Sequence, residues 1–222
     1  MENLRPPPSK HATGQETRAL LIDAATQVFL DDGFKAARVQ DIADRAGVRM
    51  SAINYHFGGK QGLYLAVLQH HAERAIDRHP VIPAEPDLSP QARFEFLVRG
   101  LISRLLDPSH ASRIGPLMLR EITNPTPALD FVFERFSRPQ GEILLALLRE
   151  ILGEAPPPAL LMRCVLSVLG QCVIYAAGRG LVERFQPDFY DNPTLIDELS
   201  QHVASFSWAG LMATARQLKE KT

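Results

Sequence analysis

Apolar residues recur at three- and four-residue intervals along most of this chain, and no run of strict alternation bounded by turn residues stands out. The first pattern marks helices with one buried face; the second would have marked strands. Leu21, Ala24, Ala25, Val28 and Phe29 predict a first helix, opened by Thr13-Gly-Gln-Glu16 and stopped at Asp31-Asp32-Gly33. Thr13 and Glu16 have capping-box spacing, in which side chains satisfy free amides at a helix start. Val39, Ile42, Ala43 and Ala46 predict a short second helix, ended by Gly47. Ala52, Ile53 and Phe57 predict a short third, broken by Gly58-Gly59, and Leu63, Ala66, Val67 and His70 a fourth, from Lys60 to about His79.

Proline sets the boundaries of the chain. After Pro6, Pro7 and Pro8 there is none until Pro80, so residues 9–79 can hold uninterrupted helices. Residues 80–90 then carry Pro80, Pro83, Pro86 and Pro90, the composition of a stiff extended linker. Beyond it helices are predicted at about 91–106, 116–124, 127–137, 139–152, 157–184 and 193–219, several opening on a first-turn proline. The expected fold is all-α, with a disordered arm at 1–12, a three-helix head at 13–60, a connecting helix at 61–79, the linker at 80–90 and a larger helical body at 91–222.

Composition narrows the function. Hydrophobic residues make up 45% and charged residues 22%, enough apolar mass for a sizeable core. The net charge of −1 excludes a protein that is basic throughout. It hides a local excess, since residues 35–60 hold Lys35, Arg38, Arg45, Arg49 and Lys60 against Asp41 and Asp44. Two cysteines, Cys164 and Cys172, are too few for a disulfide scaffold or a structural zinc site and fit a reducing cytoplasm. Eight residues apart on one helix they cannot pair, so buried packing is the plain reading and a redox sensor the rival. His70-His71 point in different directions around a helix, so packing is expected and no metal site. The N-terminus lacks the apolar core of a signal peptide. The longest uncharged apolar run, Cys164–Gly178, is shorter than the roughly 20 residues a bilayer needs, so no membrane association is expected. No P-loop, G-x-S-x-G or metal triad points to an enzyme, and no cofactor is expected.

The head carries the functional signal. A helix, a tight glycine turn and a second short helix form a helix-turn-helix, whose second helix enters the DNA major groove. Ala43 is small where two helices cross, Gly47 makes the turn, and Ile53 packs back. Residues Ile53-Asn-Tyr-His-Phe-Gly-Gly-Lys-Gln-Gly-Leu63, with Gly33-Phe34, Val39-Gln-Asp-Ile-Ala43 and Ala46-Gly-Val48, resemble the signature of the TetR family of bacterial transcriptional regulators. The resemblance runs from Leu21 to His70. It implies a DNA-binding head, a connecting fourth helix, and a variable domain that senses a small molecule and dimerises. Where the family usually caps its second and third helices with Thr or Ser, this chain has Arg38 and Arg49. Arginine cannot accept a cap hydrogen bond, and both side chains can instead meet phosphate or guanine.

With Ala52, Ile53 and Phe57 inward, Met50, Ser51 and Asn54 face outward. Ser51 and Asn54 can hydrogen-bond base edges, Met50 can touch a thymine methyl, and Arg49 is the best candidate for guanine. Tyr55, His56 and Lys60 match family positions that reach phosphates; a core role for Tyr55 and a capping or packing role for His56 are the alternatives. Candidate effector-pocket residues are Phe94, Leu97, Met118, Phe131, Phe136, Cys172 and Tyr175. Helix 157–184 is apolar nearly all round, which one chain would struggle to cover. The resemblance implies that the last two helices form a four-helix homodimer interface, with Leu166, Leu169, Val173, Phe206, Trp208 and Leu211 as candidates. The segment Leu119-Arg-Glu-Ile-Thr-Asn-Pro125, Phe131, Phe133 and Arg138-Pro139 resemble the CecR-type regulators within the family. The expected function is thus a cytoplasmic, ligand-responsive repressor that binds a palindromic duplex operator as a dimer. The alternative is a helical protein-interaction adaptor whose head does not bind DNA.

Overall fold

The computed structural model describes residues 14–83, 85, 87–107, 113–153 and 156–220, and every regular element among them is helical. The expected arm at 1–12 and the Thr13 cap lie outside the described residues. In chain order the helices are α1 (Gly14–Ala36), α2 (Val39–Ala46), α3 (Ser51–Phe57), α4 (Lys60–Arg78), α5 (Pro90–Leu106), α6 (Ile114–Thr123), α7 (Ala128–Val132), α8 (Arg138–Leu152), α9 (Pro158–Ala177), α10 (Arg179–Phe185) and α11 (Leu195–Lys219). The chain divides into two compact units: residues up to His71 with Pro116–Val132, and Ala72–Gly115 with Phe133 onward.

In the first unit α1 packs on α2 and α3. Its core is Leu21, Ile22, Ala25, Val28 and Phe29 of α1, Ile42, Ala43 and Ala46 of α2, Ile53 of α3, and Leu63, Val67 and Leu68 of α4. Each large side chain so buried contributes about 1.5–3 kcal/mol. Gly33 breaks α1 at φ 77°, ψ 168°, and a short helical segment continues to Ala36. On α4 the buried stripe is Leu63, Tyr64, Val67, Leu68 and His71, whereas Ala66 and His70 are half-buried. The stripe is rotated from the expected one because two polar side chains turn inward to polar partners. The Thr26 hydroxyl donates to the Ile22 carbonyl at 2.7 Å, so at 3.0 Å it accepts from His71 Nε2. The Tyr64 hydroxyl donates to Glu121 Oε1 at 2.6 Å.

The Tyr64–Glu121 bond crosses an expected domain boundary and corrects it. The body expected at 91–222 is not one unit, because residues 116–132 cluster with the head. The physical cause is polar. Glu121 is buried and accepts from Tyr64 of α4, and from the amide and hydroxyl of Thr126 at 3.1 Å. Its neighbour Arg120 donates to the carbonyls of Leu30 and Asp31 near the end of α1, the latter at 3.1 Å. Burial and the carboxylate beside it push the Tyr64 hydroxyl pKa well above its ordinary value.

In the second unit α11 lies along α5, and α9 packs on α5, α8 and α11. Phe94, Leu97, Val98 and Ile102 of α5 meet Leu144, Leu147 and Leu148 of α8, Leu161, Val165 and Val168 of α9, and Val203 and Leu211 of α11. The proline-rich segment is not a free joint, since Val81 is buried in this core. The helix expected at 157–184 is two helices, α9 and α10, parted at Gly178. The one expected at 127–137 is α7 followed by a π-helical turn, Phe133–Ser137. At 20 residues, with a mean hydropathy of 1.8 over 18 of them, α9 is longer than its uncharged run suggested and reaches bilayer length. Its Leu161, Val165, Val168 and Cys172 nonetheless face the protein core.

Candidate nucleic-acid interface

The reading unit is built by two close approaches of backbone. Ala43 is fully buried between α2 and its neighbours. Gly47 then takes φ 68°, ψ 30°, a left-handed turn open to glycine, and the Val48 amide donates to the Ala43 carbonyl at 3.0 Å. At the far end of α3, a Cβ on Gly62 would stand 1.9 Å from the Phe57 carbonyl oxygen. Only glycine lets the first turn of α4 sit against the last turn of α3. With Ile53 fully buried beneath it, α3 is held from both ends.

Its outer face is open. Arg49, Met50, Ser51, Asn54 and Tyr55 are all exposed, Met50 by 48% and Tyr55 by 86%. The core alternative for Tyr55 is thereby excluded. Phe57, expected inward, is half-buried beneath the Arg18 guanidinium, 5.4 Å from its ring centre. His56 is half-buried, its ring edge-on to Tyr55 at 4.9 Å and close to Gly14 at the start of α1. Lys60 donates its ammonium to the Lys35 carbonyl at 3.1 Å and lies 5.0 Å from the Phe34 ring centre. This ties α4 to the end of α1 and leaves further N–H donors on the same nitrogen.

Arg38 occupies the N-cap of α2 in an extended conformation with no side-chain cap bond. At α3 the formal cap, Met50, is already helical at φ −55°, ψ −31°, and the Arg49 carbonyl accepts from the Ala52 amide at 2.9 Å. The turn therefore starts at Arg49, again without a cap bond. Gln40 donates to Asp44 Oδ1 at 2.7 Å, which occupies part of one nearby acid. The sequence pattern marks Gly62, Arg120 and Glu121 only as parts of a resemblance and does not mark Tyr64; their contacts lie with partners elsewhere in the chain.

The other predicted residues divide. Phe94, Leu97, Phe136 and Cys172 are buried in the second unit with Tyr175 half-buried, whereas Met118 and Phe131 belong to the first. Burial pushes the Cys172 thiol up to about 12, so it carries no reactive thiolate. Among the described residues no group of histidine, cysteine and carboxylate side chains could hold a metal ion. Of the interface candidates, Leu166 (60% exposed) and Phe206 (67%) face outward with Met162 and Ile174, and Leu169 and Val173 are half-buried at the edge. Leu211 is corrected, being buried in the chain's own core; Trp208 is half-buried and packs on Phe94 with ring centres 6.0 Å apart. Both lie on the face of α11 turned to α5, Trp208 about half a turn and Leu211 about one and a half turns beyond Phe206.

Residues 21–67 match the model of the tetR family of bacterial regulatory proteins. Residues 90–211, more than half of the chain, match that of the C-terminal domain of the HTH-type transcriptional dual regulator CecR. The chain is 48% identical over 61 residues to the HTH-type transcriptional activator FasR of Mycolicibacterium smegmatis, covering 28% of each protein. It is 35% identical over 100 residues to the HTH-type transcriptional regulator SrpR of Pseudomonas putida, covering 45% of this chain and 43% of that one. The match thus spans less than half the length of these two relatives. In fold it is similar to a TetR-like transcriptional regulator from Rhodococcus sp. RHA1, with a TM-score of 0.60 at 18% identity over 88% of this chain and 95% of that one.

Proposed function

The chain belongs to the TetR family of bacterial transcriptional regulators, which are DNA-binding proteins rather than enzymes, and from that premise we propose a cytoplasmic, dimeric, ligand-responsive repressor of a palindromic operator. The observation that carries the reading is the open face of α3, where Arg49, Met50, Ser51, Asn54 and Tyr55 stand exposed above a fully buried Ile53. Arg49 donates to guanine, Ser51 and Asn54 to base edges, and Met50 packs on a thymine methyl. Arg38, Tyr55, His56 and Lys60 contact phosphates, which fix register without reading sequence.

Dimerisation is supported by Met162, Leu166 and Ile174 on α9 and Phe206 on α11, an apolar set left uncovered by this chain. Two copies joined there present two α3 helices to successive half-sites of a palindrome. An effector bound in the helical body acts through α4, which runs from Lys60 beside the reading helix to Arg78. Releasing the operator 100-fold requires the effector to favour the non-binding state by about 2.7 kcal/mol. Repression is the simplest output, since occupying the operator suffices.

A gel shift with the DNA flanking the protein's own gene tests the reading. Expected is a complex competed by specific duplex, with affinity falling steeply with salt. Binding indifferent to sequence would sink it, and would favour the adaptor.

A further inference from the structure

The second unit holds a groove of about 290 Å³ that none of the expected pocket residues except Leu97 lines. One wall is Val81, Ile82 and Pro83, and the floor is Leu97 of α5 with Ile143 and Leu147 of α8. At its polar end Arg93 of α5 donates to Glu150 Oε1 of α8 at 2.6 Å.

We infer that this groove binds an uncharged, apolar small molecule with one hydrogen-bond acceptor, the acceptor meeting the Arg93 guanidinium. The inference deepens, and rests on, the ligand-responsive reading above. Three observations carry it. The wall is held in place rather than loose: the His79 carbonyl accepts from Arg104 Nε at 2.7 Å, and Val81 is buried in the core. The chain at Pro80 also lies so close to α5 that a Cβ on Gly100 would stand 2.6 Å from the Pro80 oxygen. A site fixed in this way loses little freedom when a ligand enters. Next, Arg93 spends one N–H on Glu150, while its Nε–H is shielded from solvent and has no acceptor. A buried donor left unmet is costly, and an acceptor that reaches Nε–H relieves that cost, whereas one that meets another N–H of the guanidinium adds a charge-assisted bond. Last, Arg93 and Glu150 cancel in charge. A carboxylate would meet the Glu150 anion and an ammonium the Arg93 cation, so the charge balance selects a neutral ligand with an apolar body. The wall begins three residues after Arg78, the last residue of α4, so occupancy of the groove bears on the end of that helix.

A two-ring aromatic ketone, 6-propionyl-2-(dimethylamino)naphthalene, is a suitable probe because its fluorescence reports an apolar site. Titrated into the full chain, it should saturate at one molecule per chain. Its 6-propyl analogue, which keeps the carbon chain and lacks the ketone oxygen, should bind about ten- to a hundred-fold more weakly, the worth of a hydrogen bond to a charged group. Arg93→Met should weaken the ketone to the level of the analogue and leave the analogue unchanged. Glu150 is about half exposed, so this substitution strands no buried charge. Ala146→Phe, at an exposed position on the groove's edge, should abolish both without lowering the melting temperature. Equal binding of ketone and analogue, the same ketone dependence in Arg93→Met, or undiminished binding to Ala146→Phe would each overturn the inference. Groove binding as described with no change in operator affinity would leave the inference standing and remove the ligand-responsive reading instead.

Discussion

Gly62→Ala is a sharp test of how the reading helix is held. The substitution adds one methyl group whose carbon would stand 1.9 Å from the Phe57 carbonyl oxygen and 3.0 Å from its carbonyl carbon. Ordinary contact begins near 3.4 Å, so the first turn of α4 and the last turn of α3 must separate by roughly 1.5 Å. The obstacle is backbone, which cannot swing aside as a flexible side chain does. Overpacking of this kind costs about 1–3 kcal/mol. Alanine returns about 0.8–1 kcal/mol of helix propensity, leaving a net destabilisation of about 0–2 kcal/mol. For a chain of this size that lowers the melting temperature by about 2–4 °C per kcal/mol. Gly141→Ala is the matched control: Gly141 lies in α8, and a Cβ there meets nothing within 4 Å. It should therefore raise the melting temperature. Circular-dichroism melts of both variants, with operator titrations at fixed salt, give opposite signs for one chemical change. Since α3 shifts with the clash, Gly62→Ala should also lose about ten-fold or more in operator affinity. If Gly62→Ala melts at or above the wild type and binds the operator normally, α3 is not set by this contact.

Three further outcomes rest on the same contacts. Arg38→Thr with Arg49→Ser should raise stability by about 1 kcal/mol per restored cap and weaken operator binding; an unchanged affinity in a salt-controlled titration would refute a DNA role for both arginines. Tyr64→Phe should destabilise by about 1–3 kcal/mol, because buried Glu121 loses a donor. The Tyr64 pKa is raised on folding, so its contribution is complete below the unfolded value of about 10 and lost as pH rises beyond it; urea melts should show this alkaline loss in the wild type and less of it in Tyr64→Phe. Leu166→Asp with Phe206→Asp should give a folded monomer by sedimentation and cut operator affinity, and a dimer that survives both changes would displace the interface from α9 and α11.

The head was the more legible half of this chain, and the reason is the range of the interactions. Ile42, Ala43, Gly47 and Ile53 lie within a dozen residues, and their roles follow from helical period and turn chemistry alone. The errors share a different cause. Tyr64 turned inward on α4 because it found a polar partner, Glu121, at a distance of 57 residues, and His71, expected to pack, does so on Thr26 at 45. A pattern of apolar positions assigns a side chain such as Tyr64 to the surface. The same long-range bonds moved residues 116–132 into the first unit, against a boundary drawn from proline content. Proline content also misjudged Val81, since a segment rich in proline can still pack. Leu211 had the composition of an interface residue, but composition does not tell which face of α11 meets α5 and which is left over.

The two arginines that break the helix-start rule join these particulars into one argument. A head with good caps at α2 and α3 would be more stable by about 2 kcal/mol in all. Arginine at a helix start is unfavourable twice, for it offers no acceptor and places positive charge at the positive end of the helix dipole. Both costs fall at the edge of the module that reads DNA on the proposed function, and a phosphate there supplies an acceptor and a negative charge at once. The free head then carries a strain that the complex relieves, and part of the binding free energy comes from that relief. It follows that raising salt, which screens the phosphates, should weaken the arginine chain more steeply than its Arg38→Thr, Arg49→Ser counterpart. A salt slope that is the same for both would mean that the missing caps are only a loss of stability, made good by the buried contacts of Tyr64, Arg120 and Glu121 beneath the head.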